Sequence, residues 1–80
     1  GPRAVHIRLG ENSATEDDLL NLRETLIGFS GACPVFLHVP RAQNPNEIII
    51  KASNQICVNP EETLFERIRQ TPVVADVWKD

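Results

Sequence analysis

Eighty residues with eight Lys plus Arg, eleven Asp plus Glu and a net charge of −3 are enough for one hydrophobic core and not for two. Hydrophobic residues at 41% and charged residues at 24% exclude the composition of a disordered chain. The basic residues, scattered from Arg3 to Lys79, form no stripe of the kind that phosphate contacts require. No apolar run nears the roughly 18–20 residues that cross a bilayer, and no signal-peptide pattern opens the chain, so a soluble cytoplasmic protein is expected. Gly1 and Pro2 match the scar that a tag-removing protease leaves, which assigns residues 3–80 to a single domain. A core this small leaves little room for a buried charged cluster, which favours binding over catalysis.

Val5, Ile7 and Leu9 alternate with His6 and Arg8, the period of a strand with one buried face. After a break at Gly10 to Asn12, Ser13 with Glu16 and Thr15 with Asp18 both fit capping-box spacing, and Glu16, Asp17 and Asp18 suit the positive end of a helix dipole. Leu19, Leu22, Leu26 and Phe29 then recur at helical spacing until Gly28, Ser30 and Gly31 end the helix. Cys33 to Val39 (CPVFLHV) predicts a second strand, with Val35, Leu37 and Val39 on one face and Phe36 and His38 on the other.

Pro40 to Asn46, with two prolines and two asparagines, predicts a hairpin loop. Ile48 to Ala52 and Gln55 to Val58 predict two further strands joined at Ser53-Asn54. Asn59-Pro60-Glu61-Glu62 predicts a helix start, with Asn59 as cap and Pro60 in the first turn. That helix runs to about Gln70 on Leu64, Phe65 and Ile68, and Val73 to Trp78 closes the chain as a strand. The order strand, helix, three strands, helix, strand predicts an α+β fold: a mixed sheet with both helices on one face. The opposite face would then carry His6, Arg8, Phe36, His38, Ile49 and Lys51, a half-apolar surface suited to docking.

Motifs for chemistry are sparse. A Cys33 or Cys57 nucleophile with His6 or His38 would need base and thiol within hydrogen-bond reach, yet Cys33 and His38, five apart on an extended strand, project to opposite faces. The same four residues lack the paired spacing of a zinc site, the cysteines read as buried free thiols, and neither phosphate-binding glycine motif occurs. No cofactor or metal is expected. Asp17-Asp18 and Glu61-Glu62 are explained by helix starts. Phe36 near His6, Arg8 and Lys51 admits a base-stacking reading, against which stand the lone aromatic and the acidic charge. Trp78 either closes the core or anchors a partner.

Three segments, DDLLNLRETL, CPVFLHV and ICVNPEETLFERIRQ, together resemble the extreme C-terminal domain of bacterial DNA polymerase III α subunits. Pro34, Val35 and Leu37 match its "PV-x-L" strand, and Val58 and Pro60 its "V-x-P" strand-to-helix junction. The resemblance covers about Val5 to Asp80 and implies a non-catalytic domain at the end of the polymerase chain that binds the tau subunit of the clamp loader. The polymerase active site would lie upstream in that parent. Strand parity nominates Phe36, Ile49, Ile56 and Trp78 as apolar contacts, with Arg8 and Lys51 as rim charges. The alternatives are a single-stranded nucleic-acid-binding module and a small-ligand regulatory domain, for which the Gly10 to Ser13 loop is the nearest feature.

Overall fold

The computed structural model describes residues 2–11 and 14–80. Gly1 and the Ser13 half of the proposed caps fall outside them, as does part of the Gly10 to Ser13 loop. The elements are β1 (Val5–Leu9), α1 (Glu16–Ile27), β2 (Ser30–Cys33), β3 (Val35–Arg41), β4 (Asn44–Lys51), α2 (Glu62–Arg69) and β5 (Val74–Lys79). Four strands form one mixed sheet in the order β4-β3-β1-β5. Within it β1 and β3 run parallel, and the outer pairings are antiparallel. The expected α+β order holds.

Alternation in β1 sets the layers. Val5 and Ile7 are completely buried and Leu9 nearly so, together with Val35 and Val77 of the flanking strands, Leu22 and Leu26 of α1, and Leu64, Phe65 and Ile68 of α2. Because Val5 pairs with Val35 and Ile7 with Val77, these side chains share one sheet face, and both helices cover it. No helix among the described residues is long and apolar enough to cross a membrane.

α1 begins with the Thr15 capping box. The Thr15 hydroxyl accepts from the Asp18 N–H at 3.1 Å, and the Asp18 carboxylate accepts from the Thr15 N–H at 3.0 Å. Those bonds hold the Asp18 carboxyl below its ordinary range, the backbone bond most strongly. Of the predicted stripe, Leu22 and Leu26 are buried, whereas Leu19 stays exposed and Phe29 packs on the core from beyond the helix end.

Four local expectations are corrected. Pro34 divides the single strand expected from Cys33 to Val39 into β2 and β3; having no N–H, it offers only its carbonyl, which accepts from the Val5 N–H at 2.9 Å. Pro40 to Asn46 is mostly strand: β3 runs through Pro40 to Arg41 and β4 opens at Asn44, leaving Ala42 and Gln43 as the turn, with Gln43 at φ 60°. Pro40 is tolerated because the register slips there, from Val39 opposite Ile48 to Arg41 opposite Asn44.

Gln55 to Val58 forms no strand of the sheet. Residues 53–56 turn, the Ile56 N–H donating to the Ser53 carbonyl at 2.8 Å, and Val58 bridges to Ser30 and Cys33 of β2 instead. Val58 is thereby buried completely, a burial that pairing at the outer edge of β4 would not provide. Cys57 accordingly lies outside any strand and is half-buried, while Cys33 is buried, both as free thiols. Finally, α2 starts later than expected. Glu61 takes the cap position, its side chain accepting from no helix N–H, and Asn59 donates its side-chain amide to the Glu61 carboxylate at 3.2 Å rather than capping the helix.

Candidate functional site

The uncovered sheet face is built by the residues that alternate with the buried ones. Register places Lys51, Phe36, His6 and Trp78 in one row across β4, β3, β1 and β5, and Ile49, His38, Arg8 and Asp76 in the next. Phe36, Ile49, Trp78, Arg8 and Lys51 therefore come together as strand parity predicts.

In the first row the rings stack. His6 lies between Phe36, at 5.5 Å and 18°, and Trp78, at 5.2 Å and 7°. The Arg8 guanidinium sits 4.8 Å from the Trp78 ring centre, a cation held on an aromatic face. Phe36 and Trp78 remain half-exposed, and Ile49 is 59% exposed.

A polar chain runs through the same face. Glu47 accepts from Arg8 Nε and, at 3.1 Å, from a terminal nitrogen of its guanidinium, the forked geometry that makes Arg–carboxylate pairs directional. Asp76 lies 3.8 Å from Arg8 on the other side. The Arg8 bond, more than any other influence, holds the Glu47 carboxyl below its ordinary range, with the His38 bond adding to it. Glu47 in turn raises the Arg8 guanidinium further above its ordinary value.

His6 Nδ1 meets His38 Nε2 at 2.8 Å, His6 Nε2 meets Asp80 Oδ2 at 3.0 Å, and His38 Nδ1 meets Glu47 Oε1 at 3.2 Å. The carboxylates of Asp80 and Glu47 only accept, so the ring nitrogen facing each of them is the donor in that contact. The face thus alternates acidic side chains with basic ones: Asp80, the His6–His38 pair, Glu47, Arg8 and Asp76.

The chain matches no family model, no curated protein and no solved structure. Two placements differ from expectation. Ile56 does not reach the open face. It packs on the helix side, in a cleft of about 230 Å³ lined also by Leu19, Leu22, Leu26, Leu37 and Ala52, because the strand expected to carry it is a turn. Arg8 is no free rim charge, since Glu47, Asp76 and Trp78 enclose it near the centre of the face.

Glu47 is the residue that sequence reading missed. Left between the expected loop, which ends at Asn46, and the expected strand, which begins at Ile48, it extends the β4 alternation of Glu47, Ile49 and Lys51, and that alternation is its signal. Cys33 and His38 have separate partners: the Cys33 thiol points to the Pro2 carbonyl at 3.7 Å, while His38 bonds with His6 and Glu47.

Proposed function

We propose that this domain is the C-terminal docking domain of a bacterial replicative DNA polymerase α subunit, working in the cytoplasm and holding the tau subunit of the clamp loader on its open sheet face. The observation that carries the docking reading is the row Phe36, His6 and Trp78, three stacked rings half open to solvent beside an exposed Ile49. Aromatic anchors bordered by charges are the usual centre of a protein interface. The choice of parent and partner rests on the three ordered segments and their resemblance to the polymerase family. In this role the domain performs no catalysis itself and takes no cofactor or small-molecule substrate.

Single-stranded nucleic acid fits the face less well. His6 has a ring on each side already, and Glu47, Asp76 and Asp80 set carboxylates among the aromatics, where stacked bases bring phosphates.

Titrating isotope-labelled domain with the C-terminal part of the cognate tau subunit tests the proposal. Resonances of Phe36, Ile49 and Trp78 should shift, and Trp78→Ala should weaken the complex at least tenfold, about 1.4 kcal/mol. Unchanged spectra at high micromolar tau would sink it. Shifts confined to Leu19, Leu37 and Ile56 would move the contact to the helix-side cleft.

A further inference from the structure

We infer that the outer edge of β4 pairs with the same edge of a second copy of this chain, joining two four-stranded sheets into one across a two-fold axis at Ile49.

β4 ends the sheet order, so among the described residues only β3 pairs with it. It carries three consecutive isoleucines, Ile48, Ile49 and Ile50, that are 43%, 59% and 48% exposed. The apolar stretch is short, bordered by Glu47 and Lys51, and an open edge of this kind is what proteins usually blunt or cover. The segment after β4 turns away to β2 and leaves the edge open.

The direction of the free backbone groups follows from one bond. The Ala52 N–H donates to the Val35 carbonyl at 2.8 Å, which makes those residues a hydrogen-bonded pair. Antiparallel pairs alternate, so Leu37 with Ile50 and Val39 with Ile48 are the next bonded pairs in the unbroken register. Ile49 and Lys51 therefore send their N–H and C=O groups outward.

Set antiparallel to itself about Ile49, the edge is self-complementary. Ile49 of one copy exchanges both backbone bonds with Ile49 of the other. On the open face Lys51 stands opposite Glu47 of the second copy, and Glu47 opposite its Lys51. On the helix side Ile48 meets Ile50 and Ile50 meets Ile48. Opposite charges and β-branched pairs across strands both favour association.

Neighbouring registers lose this match. A two-fold at Ile50 sets Lys51 opposite Ile49, and one at Ile48 sets Glu47 opposite Ile49, so each places a charge against an isoleucine. One isologous register thus satisfies both the charges and the apolar side chains, which is why the occupant is a second copy. A single strand pair buries less than the roughly 800 Å² per partner of a stable complex, so the association is weak and concentration-dependent. It stands whether or not the open face binds tau.

Sedimentation equilibrium on this 80-residue chain tests it. The dimer fraction should rise with loading between about 10 µM and about 1 mM. Lys51→Glu, which sets glutamates opposite each other, should lower the association constant about tenfold. Ile49→Pro, which deletes the two central donors while leaving the β3 bonds intact, should abolish the dimer. Circular dichroism and urea midpoints of K51E should match the unsubstituted chain. A chain that stays monomeric at about 1 mM, or variants that associate as the parent does, overturns the inference. A monomer whose β4 amides shift only when an extended peptide is added gives the edge to another protein, and overturns it equally.

Discussion

Gly31 stands where two backbone segments pass too closely for any side chain. A Cβ there would lie 2.5 Å from the Asn59 nitrogen and 2.7 Å from the Val58 carbonyl carbon and oxygen, all main-chain atoms that cannot rotate aside. The same contact is bonded, through the Gly31 N–H to the Cys57 carbonyl at 3.0 Å and the Asn59 N–H to the Phe29 carbonyl at 2.7 Å. Gly31→Ala should therefore cost about 1–3 kcal/mol, the range for forced overpacking, read as a lowered urea midpoint at unchanged slope. Glu47 makes a second prediction, about pH. Its carboxyl is depressed in the fold, chiefly by the Arg8 bond, so the unfolded chain takes up its proton at higher pH than the folded one. The stabilisation is thus complete above the ordinary glutamate range and is lost as pH falls through the folded value. Asp18, depressed by its cap bonds, acts in the same direction. Thermal unfolding followed from neutral pH into that acidic window should show a smaller drop for Glu47→Gln than for the unsubstituted chain.

α1 depends on its first turn. Its exposed side, including Leu19, Leu20 and Ile27, gains little from the core, so the Thr15–Asp18 capping box matters to it more than a cap would to a deeply buried helix. Thr15→Ala should destabilise the domain by about 1 kcal/mol, and hydrogen exchange should localise the loss to the amides of Glu16 to Leu19. α2 lacks a side-chain cap and relies on packing, since Leu64, Phe65 and Ile68 are buried in the common core, with the helix set against β5 and α1. The β3–β4 hairpin is held differently again. Pro40 at a register slip and Gln43 in the left-handed region make a tight two-residue turn where composition suggests a long loop. That turn frees Glu47 to lie on the sheet beside Arg8.

Eighty residues imply a total stability of roughly 4–12 kcal/mol at the usual 0.05–0.15 kcal/mol per residue. Leu64 is completely buried at the centre of the core, and Leu64→Ala should remove about 2–5 kcal/mol. That loss is comparable to the whole, so circular dichroism should find much of the variant unfolded at 37 °C. The layered arrangement also explains why the two surfaces differ. The helix layer stops short of β4, leaving Ile48, Ile50 and the Leu19–Leu37 cleft apolar. The opposite face, which no element among the described residues covers, balances aromatic rings against five charged side chains and a histidine pair.

Alternation along β1, β3 and the end of β4 is a local property, and it was enough to place Val5, Ile7 and Val35 inward and Phe36, Ile49 and Lys51 on a common open face. Capping spacing likewise put the start of α1 at Ser13 or Thr15, and the Thr15–Asp18 box forms. Ile56 could not be placed that way. Whether residues 53–58 continue a sheet or turn beneath it depends on Val58 finding β2, a contact between segments far apart in sequence, and on no neighbour offering burial at the β4 edge. Glu47 was obscured for the same reason: prolines and asparagines up to Asn46 signal a loop that would end just before it, but strand pairing with β3 carries β4 back to Asn44 and sets Glu47 on the sheet beside Arg8. Which residues alternate is written in the chain; which charges meet, and which edge stays open, follow from how the strands come to lie beside one another.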